Sequence, residues 1–288
     1  MAGIPLNRSG NNGGWRRRDI LLGGLAAAFA LARPARAGEG AAPVPACTLT
    51  PELTEGPYYL DRPKLRRDIT EGKPGVPLLL RIALLDAGTC QPLSGAAIDI
   101  WHCDAGGVYS GYGKQGALPF PSPPPGQAMP PPGGAGAGLP FGMGPGHPDH
   151  PPPKPKATNH LSFLRGVQLT GADGVAEFRT IVPGWYVGRA VHIHLKAHVG
   201  GKPRGGRYAG GHVCHTGQFG FAEDFYDTIG SRQPYSGHQV PRTPLAQDGI
   251  LGTGGPVLQL SPLGTGPEQG YLGTIAFAVD PQGVPRVR

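Results

Sequence analysis

Ten residues of strict alternation constrain this chain most. From Ala190 to Val199, the residues Val191, Ile193, Leu195 and Ala197 fall on one face of a strand, and His192, His194, Lys196 and His198 on the other. Side chains two apart on a strand stand roughly 6–7 Å from each other, given a rise of about 3.3 Å per residue. That gap suits two imidazoles converging on one metal ion. Tyr186 and Arg189 come just before them, after a Pro183-Gly184 turn signal. A phenol, a guanidinium and paired imidazoles in so short a span read as a reaction centre. A His-x-His pair alone is a weak signal, and copper or zinc held by His192 and His194 only is a competing reading.

The rest of the chain reads as strand. Short runs are expected at Val76–Asp86, Ala96–Cys103, Leu164–Thr170, Val175–Ile181, Val213–Phe221, Pro256–Leu260 and Tyr271–Val279. In the second run, Ile98, Ile100 and His102 share one face, and Ala97, Asp99 and Trp101 the other. Gly171-Ala172-Asp173-Gly174 reads as the tight turn of a hairpin joining the two runs beside it. Ala222–Ile229 is the one convincing short helix. The expected fold is all-β, a two-sheet β-sandwich with long loops.

Composition matters in two places. Fifteen of the 35 prolines lie between Pro119 and Pro155, interleaved with glycine and alanine. Residues 113–158 therefore bury too little apolar surface to offset their ordering entropy. They read as a low-complexity insertion within one domain (38–288), with His147, His150 and His160 solvated. The net charge is +7, but six arginines and one aspartate in residues 1–37 contribute +5 of it, leaving 7 − 5 = +2. That residue of charge excludes a nucleic-acid binder on electrostatic grounds.

Residues 1–37 themselves read as a leader. Arg16-Arg17-Arg18 precede an apolar run from Ile20 to Ala32, and Ala35-Arg36-Ala37 offers a small-residue cleavage site. Paired arginines before a mild apolar run suit a twin-arginine signal read by its export machinery, with an ordinary secretory signal as the alternative. The expectation is an exported protein, periplasmic or extracellular, cleaved near Ala37. Export permits disulfides. Cys47, Cys90, Cys103 and Cys214 allow three pairings, and the sequence does not choose among them; Cys47–Cys90 with Cys103–Cys214 is the working expectation.

Several motifs in order point to a family. Thr54-Glu55-Gly56-Pro57-Tyr58-Tyr59, Ile98-Asp99-Ile100-Trp101-His102, Gly107-Val108-Tyr109-Ser110, Pro183-Gly184-Trp185-Tyr186 and Arg189-Ala190-Val191-His192-Ile193-His194 together resemble the intradiol ring-cleavage dioxygenases. That family includes catechol 1,2-dioxygenase and protocatechuate 3,4-dioxygenase. The resemblance runs from about Thr48 to Phe221, broken by the insertion. It implies that Tyr109, Tyr186, His192 and His194 bind a non-haem Fe(III), and that Arg189 and Gln218 are catalytic. It further implies that Gly56, Pro57 and Tyr58 line the substrate pocket. The substrate would be a catechol-type aromatic, opened by O2 between its hydroxylated carbons to a muconate-type diacid.

The residue types suit that chemistry. Ferric iron is a hard ion that favours anionic oxygen donors and accepts imidazole. A phenol with an ordinary pKa of about 10 loses its proton only to a strongly charged centre. Two features depart from the family's catabolic members: the spacing from Tyr186 to His192 is shorter, and the chain looks exported. A homodimer is the assembly the resemblance admits, although no helical pattern for a dimerisation arm is visible. The alternative function is an exported β-sandwich binding module that keeps the fold without turnover.

Overall fold

The computed structural model describes residues 47–62, 64–113, 155–238, 240–252 and 254–286. The expected leader (1–37), residues 114–154 of the Pro/Gly-rich stretch, and His147 and His150 lie outside the described residues. His160 is exposed.

Among the described residues, eight strands form two four-stranded sheets. They are β1 (Pro77–Asp86), β2 (Ala97–Trp101), β3 (Arg165–Leu169), β4 (Val175–Ile181), β5 (His192–Arg204), β6 (Arg207–Gly220), β7 (Gln259–Pro262) and β8 (Tyr271–Val279). The first sheet has the order β4-β1-β8-β7 and the second β3-β2-β5-β6. Pairing is antiparallel except between β1 and β8. One short helix, α1 (Glu223–Ile229), follows β6. This is the expected β-sandwich.

The period-2 pattern explains why the sheets face each other. Leu78, Leu80, Ile82 and Leu84 of β1 meet Ile98 and Ile100 of β2 and Ile193, Leu195 and Ala197 of β5 in one core, with Phe178, Phe219 and Phe277 between them. Each such buried side chain contributes about 1.5–3 kcal/mol relative to leaving it in water. The core thus uses one face of β5 and leaves the histidine face for whatever covers the second sheet from outside.

Four expectations need correction. The Gly171–Gly174 turn does form, with Gly171 N–H donating to Val175 O at 3.0 Å, but it joins no hairpin: β3 and β4 belong to different sheets. Alternation marks which faces are buried, and does not say which strand pairs with which. Second, β5 and β6 run on as a long ribbon to Arg204 and from Arg207. The glycines of Gly200–Gly211 look like loop in sequence, but ladder hydrogen bonds use only backbone groups. A bulge between Ala197 and His198 also breaks the alternation there. Third, the last short strand is Gln259–Pro262 instead of Pro256–Leu260. Fourth, Cys47 and Cys90 form the expected disulfide, but Cys103 and Cys214 are free, buried thiols. Cys103 Sγ lies 3.5 Å from Gly184 O and Cys214 Sγ 3.5 Å from Ala197 O, so each is committed to a different backbone carbonyl.

Residues flanking the insertion meet at its base. Thr158 N–H donates to Gly111 O at 2.7 Å, and Gly111 N–H to Asn159 Oδ1 at 3.2 Å.

His102 lies just past β2 and links the sheets. Its Nδ1–H donates to Cys103 O (2.8 Å), leaving Nε2 to accept from the Thr180 hydroxyl (2.7 Å) on β4. Burial pushes the imidazole down to about 4. As pH falls below about 6.5, the unfolded chain takes up this proton first. Stability is therefore full above that pH and is lost on the way down to pH 4, by about 3 kcal/mol for this group. Melting temperature is expected to fall over that window, and less steeply in His102→Gln. Identical slopes for the two proteins would show that His102 is not the group that titrates.

Candidate metal centre

The outer face of the second sheet carries a row of side chains set by register. Arg165 (β3) opposes Trp101 (β2), Trp101 opposes His194 (β5), and His194 opposes Gln218 (β6). The Trp101 indole lies flat on the His194 ring, with centroids 5.0 Å apart and planes 8° from parallel. His192 stands one step along the same face. The imidazoles are thus aimed by a strand whose opposite face is locked into the core.

The two tyrosines arrive from loops. Tyr109 follows β2 in a turn held by Asp104, whose Oδ1 accepts from Gly106 N–H and Val108 N–H at 3.0 Å each. Arg165 fixes the next residue, donating from Nε to Ser110 Oγ (2.7 Å) and from Nη2 to Ser110 O (2.9 Å). Tyr186 sits in the turn before β5, where Arg189 N–H donates to Tyr186 O at 3.3 Å. The loops touch at Gly107, whose φ is +80° and where an added Cβ would stand 2.2 Å from Trp185 O. Only glycine fits there, and it lets both tyrosines reach the same place.

That place is the His192 Nε2 atom. Tyr109 Oη lies 3.3 Å from it, Tyr186 Oη 3.2 Å and His194 Nε2 3.0 Å. His192 Nδ1 is 2.6 Å from Ala190 O and donates to it, so Nε2 is a bare lone pair. One lone pair does not satisfy three polar neighbours. Four donors each about 2.0–2.1 Å from one ion would stand roughly 2.9–3.4 Å apart, and the three separations from His192 Nε2 fall in that range. His194 Nδ1 is buried with no hydrogen-bond partner. The expected Tyr109, Tyr186, His192 and His194 therefore converge, and their chemistry fits a hard, highly charged cation. Among the described residues no group of three or more His, Cys, Asp and Glu is placed to hold a metal; here half of the donors are phenols.

Electrostatics agree. Burial, with Arg189 next, pushes the His192 imidazole down to about 3, and burial holds His194 well below its usual value. Both are neutral at pH 7. Burial pushes Tyr186 up to about 12 and Tyr109 well above its usual range. Without a cation, both phenols keep their protons.

Arg189 and Gln218 join the same cluster. Arg189 Nη1 lies 3.5 Å from His192 Nε2, and Nη2 donates to Gln218 Oε1 at 2.6 Å. Gln218 Nε2 donates to Thr54 O at 2.6 Å, tying β6 to the segment that covers the site. Of that segment, Tyr58 stacks on Tyr109 with centroids 4.6 Å apart. Gly56 takes φ +74°, and its backbone passes against His194. Pro57 is half-buried between them.

Sequence reasoning placed Lys196 on the histidine face and Glu55 and Tyr59 in the covering motif without giving them a role, and it did not single out Asp248. Asp248 pairs with Arg189 (2.9 Å) and is fully buried. Lys196, on the histidine face, pairs with Glu55 and lies 3.7 Å from the Tyr59 ring centroid. Tyr59 donates to Asp99 Oδ2 at 3.0 Å. Asp248 carried no such signal in the sequence.

A cavity of about 160 Å³ opens beside Tyr186, lined by Gly106, Gly107, Val108, Tyr186, Val187, His238 and Val240. A hollow of about 150 Å³ holds one benzene ring. A larger hollow of about 340 Å³, lined by residues such as Arg67, Leu78 and Leu263, includes none of the four donors.

No protein-family model and no curated protein matches the chain. Solved structures do. An intradiol ring-cleavage dioxygenase from Tetranychus urticae is 27% identical, with a TM-score of 0.62, over 83% of this chain and 98% of that one. A second dioxygenase structure is 28% identical with a TM-score of 0.62, over 83% of this chain and 97% of that one. The fold is the β-sandwich of the intradiol dioxygenases.

The Gly56 contact yields a test. An added Cβ would stand 3.0 Å from His194 Cε1 on a backbone that disfavours side chains. Gly56→Ala is expected to weaken metal retention by about 10–100-fold, as for other changes behind a ligand, while the β-type circular dichroism stays. Metal content equal to wild type after dialysis would show that His194 does not depend on this approach.

Proposed function

We propose that this chain is a non-haem ferric dioxygenase that cleaves a catechol-type aromatic between its two hydroxylated carbons. The observation that carries the reading is the meeting of Tyr109 Oη, Tyr186 Oη and His194 Nε2 within 3.0–3.3 Å of His192 Nε2. The likeness in fold to an intradiol ring-cleavage dioxygenase supports it.

Tyr109, Tyr186, His192 and His194 would hold the iron. Bound Fe(III) supplies a Lewis acid that takes the catechol as its dianion and opens the ring to O2. Both oxygen atoms enter the product, a muconate-type diacid, so no outside reductant is needed.

The protein's own groups then have definite tasks. Catechol must lose two protons to bind as a dianion. Tyr186, whose phenol is pushed up to about 12 by burial, would as phenolate be a strong base able to take one of them, and hydroxide from solvent would take the other. The Arg189 guanidinium, 3.5 Å from His192 Nε2, faces the region where negative charge builds on the ring and stabilises it. Gln218 keeps the guanidinium in that orientation. Tyr58, stacked on Tyr109, and the Gly56-Pro57 backbone close the space over the donors and exclude water.

The reading extends to the cell. Residues 1–37 would send the folded protein out through the twin-arginine machinery, so that ring cleavage takes place in the periplasm or outside the cell.

The test uses purified, iron-loaded protein and a panel of catechol, protocatechuate, hydroxyquinol and chlorocatechols. Ultraviolet absorbance and oxygen uptake are expected to show one O2 consumed per ring and a diacid product. The protein should be red-brown from phenolate-to-iron charge transfer, and Tyr186→Phe should shift or bleach that band. Coloured semialdehyde products, or a band unchanged in Tyr186→Phe, would contradict the proposal.

A further inference from the structure

Asp248 lies in the loop after the 3-10 turn Leu245–Gln247, far in sequence from the four donors. It does not touch them, yet its carboxylate is among the most constrained groups in the protein. Oδ1 accepts from Ile250 N–H (2.9 Å) and Leu251 N–H (2.8 Å) of its own turn. Oδ2 accepts from Arg189 Nε–H (2.9 Å) and from Ala190 N–H (2.6 Å). The side chain is 0% exposed, and that of Arg189 is 4% exposed. The loop is seated by Leu245 and Leu251, which pack where Gly220 of β6 leaves room.

This grip distinguishes the edges of the guanidinium. Nε is spent on Asp248. Nη2 therefore meets Gln218 Oε1 at 2.6 Å, and Nη1 lies 3.5 Å from His192 Nε2. Without the carboxylate, Nε–H would be a buried donor with no acceptor, and the guanidinium would be free to turn toward other partners. The same oxygen also holds Ala190 N–H, and Ala190 O takes the proton of His192 Nδ1 at 2.6 Å. One carboxylate thus secures the orientation of both the arginine and the residue that fixes the His192 tautomer.

We propose that Asp248 is a positioning residue that acts on ring cleavage through Arg189, by holding its Nη atoms toward the donor centre. This rests on the intradiol reading of the site. It assigns the loop that carries Asp248 a part in the reaction, although the hydrogen bonds of Asp248 itself go to Arg189, Ala190, Ile250 and Leu251.

The test combines a double-mutant cycle with a readout that needs no turnover. Asp248→Asn is expected to retain iron and its visible band, to leave KM within about threefold, and to lower kcat by about 10²-fold, the loss typical of a misplaced reacting group. Arg189→Met is expected to lower kcat by about 10²–10³-fold. Because both changes remove one function, the double variant should fall no further than Arg189→Met. In the iron-free full chain, the Arg189 Nε–H resonance, assigned by its loss in Arg189→Met, should exchange slowly with water, and rapidly in Asp248→Asn.

A full kcat in Asp248→Asn, multiplicative losses in the double variant, or an Arg189 Nε–H that exchanges rapidly in the wild type would each overturn the proposal. Should Asp248→Asn not fold, the double variant, which leaves no buried charge unpaired, takes its place against Arg189→Met, and a further tenfold loss of kcat overturns it. A wild-type protein that cleaves no catechol overturns the intradiol reading as well, whereas an active wild type with an equally active Asp248→Asn overturns only this inference.

Discussion

The site depends on one strand being buried on both faces. Along β5, Ile193, Leu195 and Ala197 enter the sandwich core, while His192 and His194 face the covering loops. A slip of one residue would exchange the sets, putting imidazoles among leucines and phenylalanines. Core packing therefore enforces the aim of the histidines. The organisation of the donors is prepared during folding, before any cation or substrate is present.

Burial also sets the charge state of the centre. Two opposed pairs stand around it, Arg189 with Asp248 and Lys196 with Glu55, while Arg165 is held by Ser110. The four donors themselves stay neutral because desolvation penalises every charged form. Two neutral imidazoles and two protonated phenols thus crowd one point, with the Arg189 guanidinium beside them.

The loops are tied to the sheets and to one another. Gly107 lets the Tyr109 turn press on Trp185, and Trp185 donates to Val240 O at 2.6 Å. The covering segment is fastened by the Cys47–Cys90 disulfide, by Thr50 N–H to Ala278 O at 2.8 Å and by Leu53 N–H to Thr216 O at 3.0 Å. Four separate stretches of chain thus meet over one face of one sheet.

Local pattern was enough for much of this. Alternation along 190–197 announced a strand with its histidines on one side, and a strand's period of two admits no other arrangement. The order of Tyr109, Tyr186, Arg189, His192 and His194 resembles that of the intradiol dioxygenases, and that resemblance, not local pattern, is what placed Tyr109 in the expected donor set. Pairing was not legible. Which sheet β4 joins, that Gly200–Gly211 continues a ribbon, and that Cys103 and Cys214 stay apart all depend on backbone partners distant in sequence, and side-chain pattern carries no record of them. Asp248 is the sharpest case: an aspartate in a glycine-rich loop looks like any turn residue until folding carries it to Arg189. Sequence by itself determined which side chains were present and which way each strand would present them; only the tertiary structure decided which of them share a single point in space.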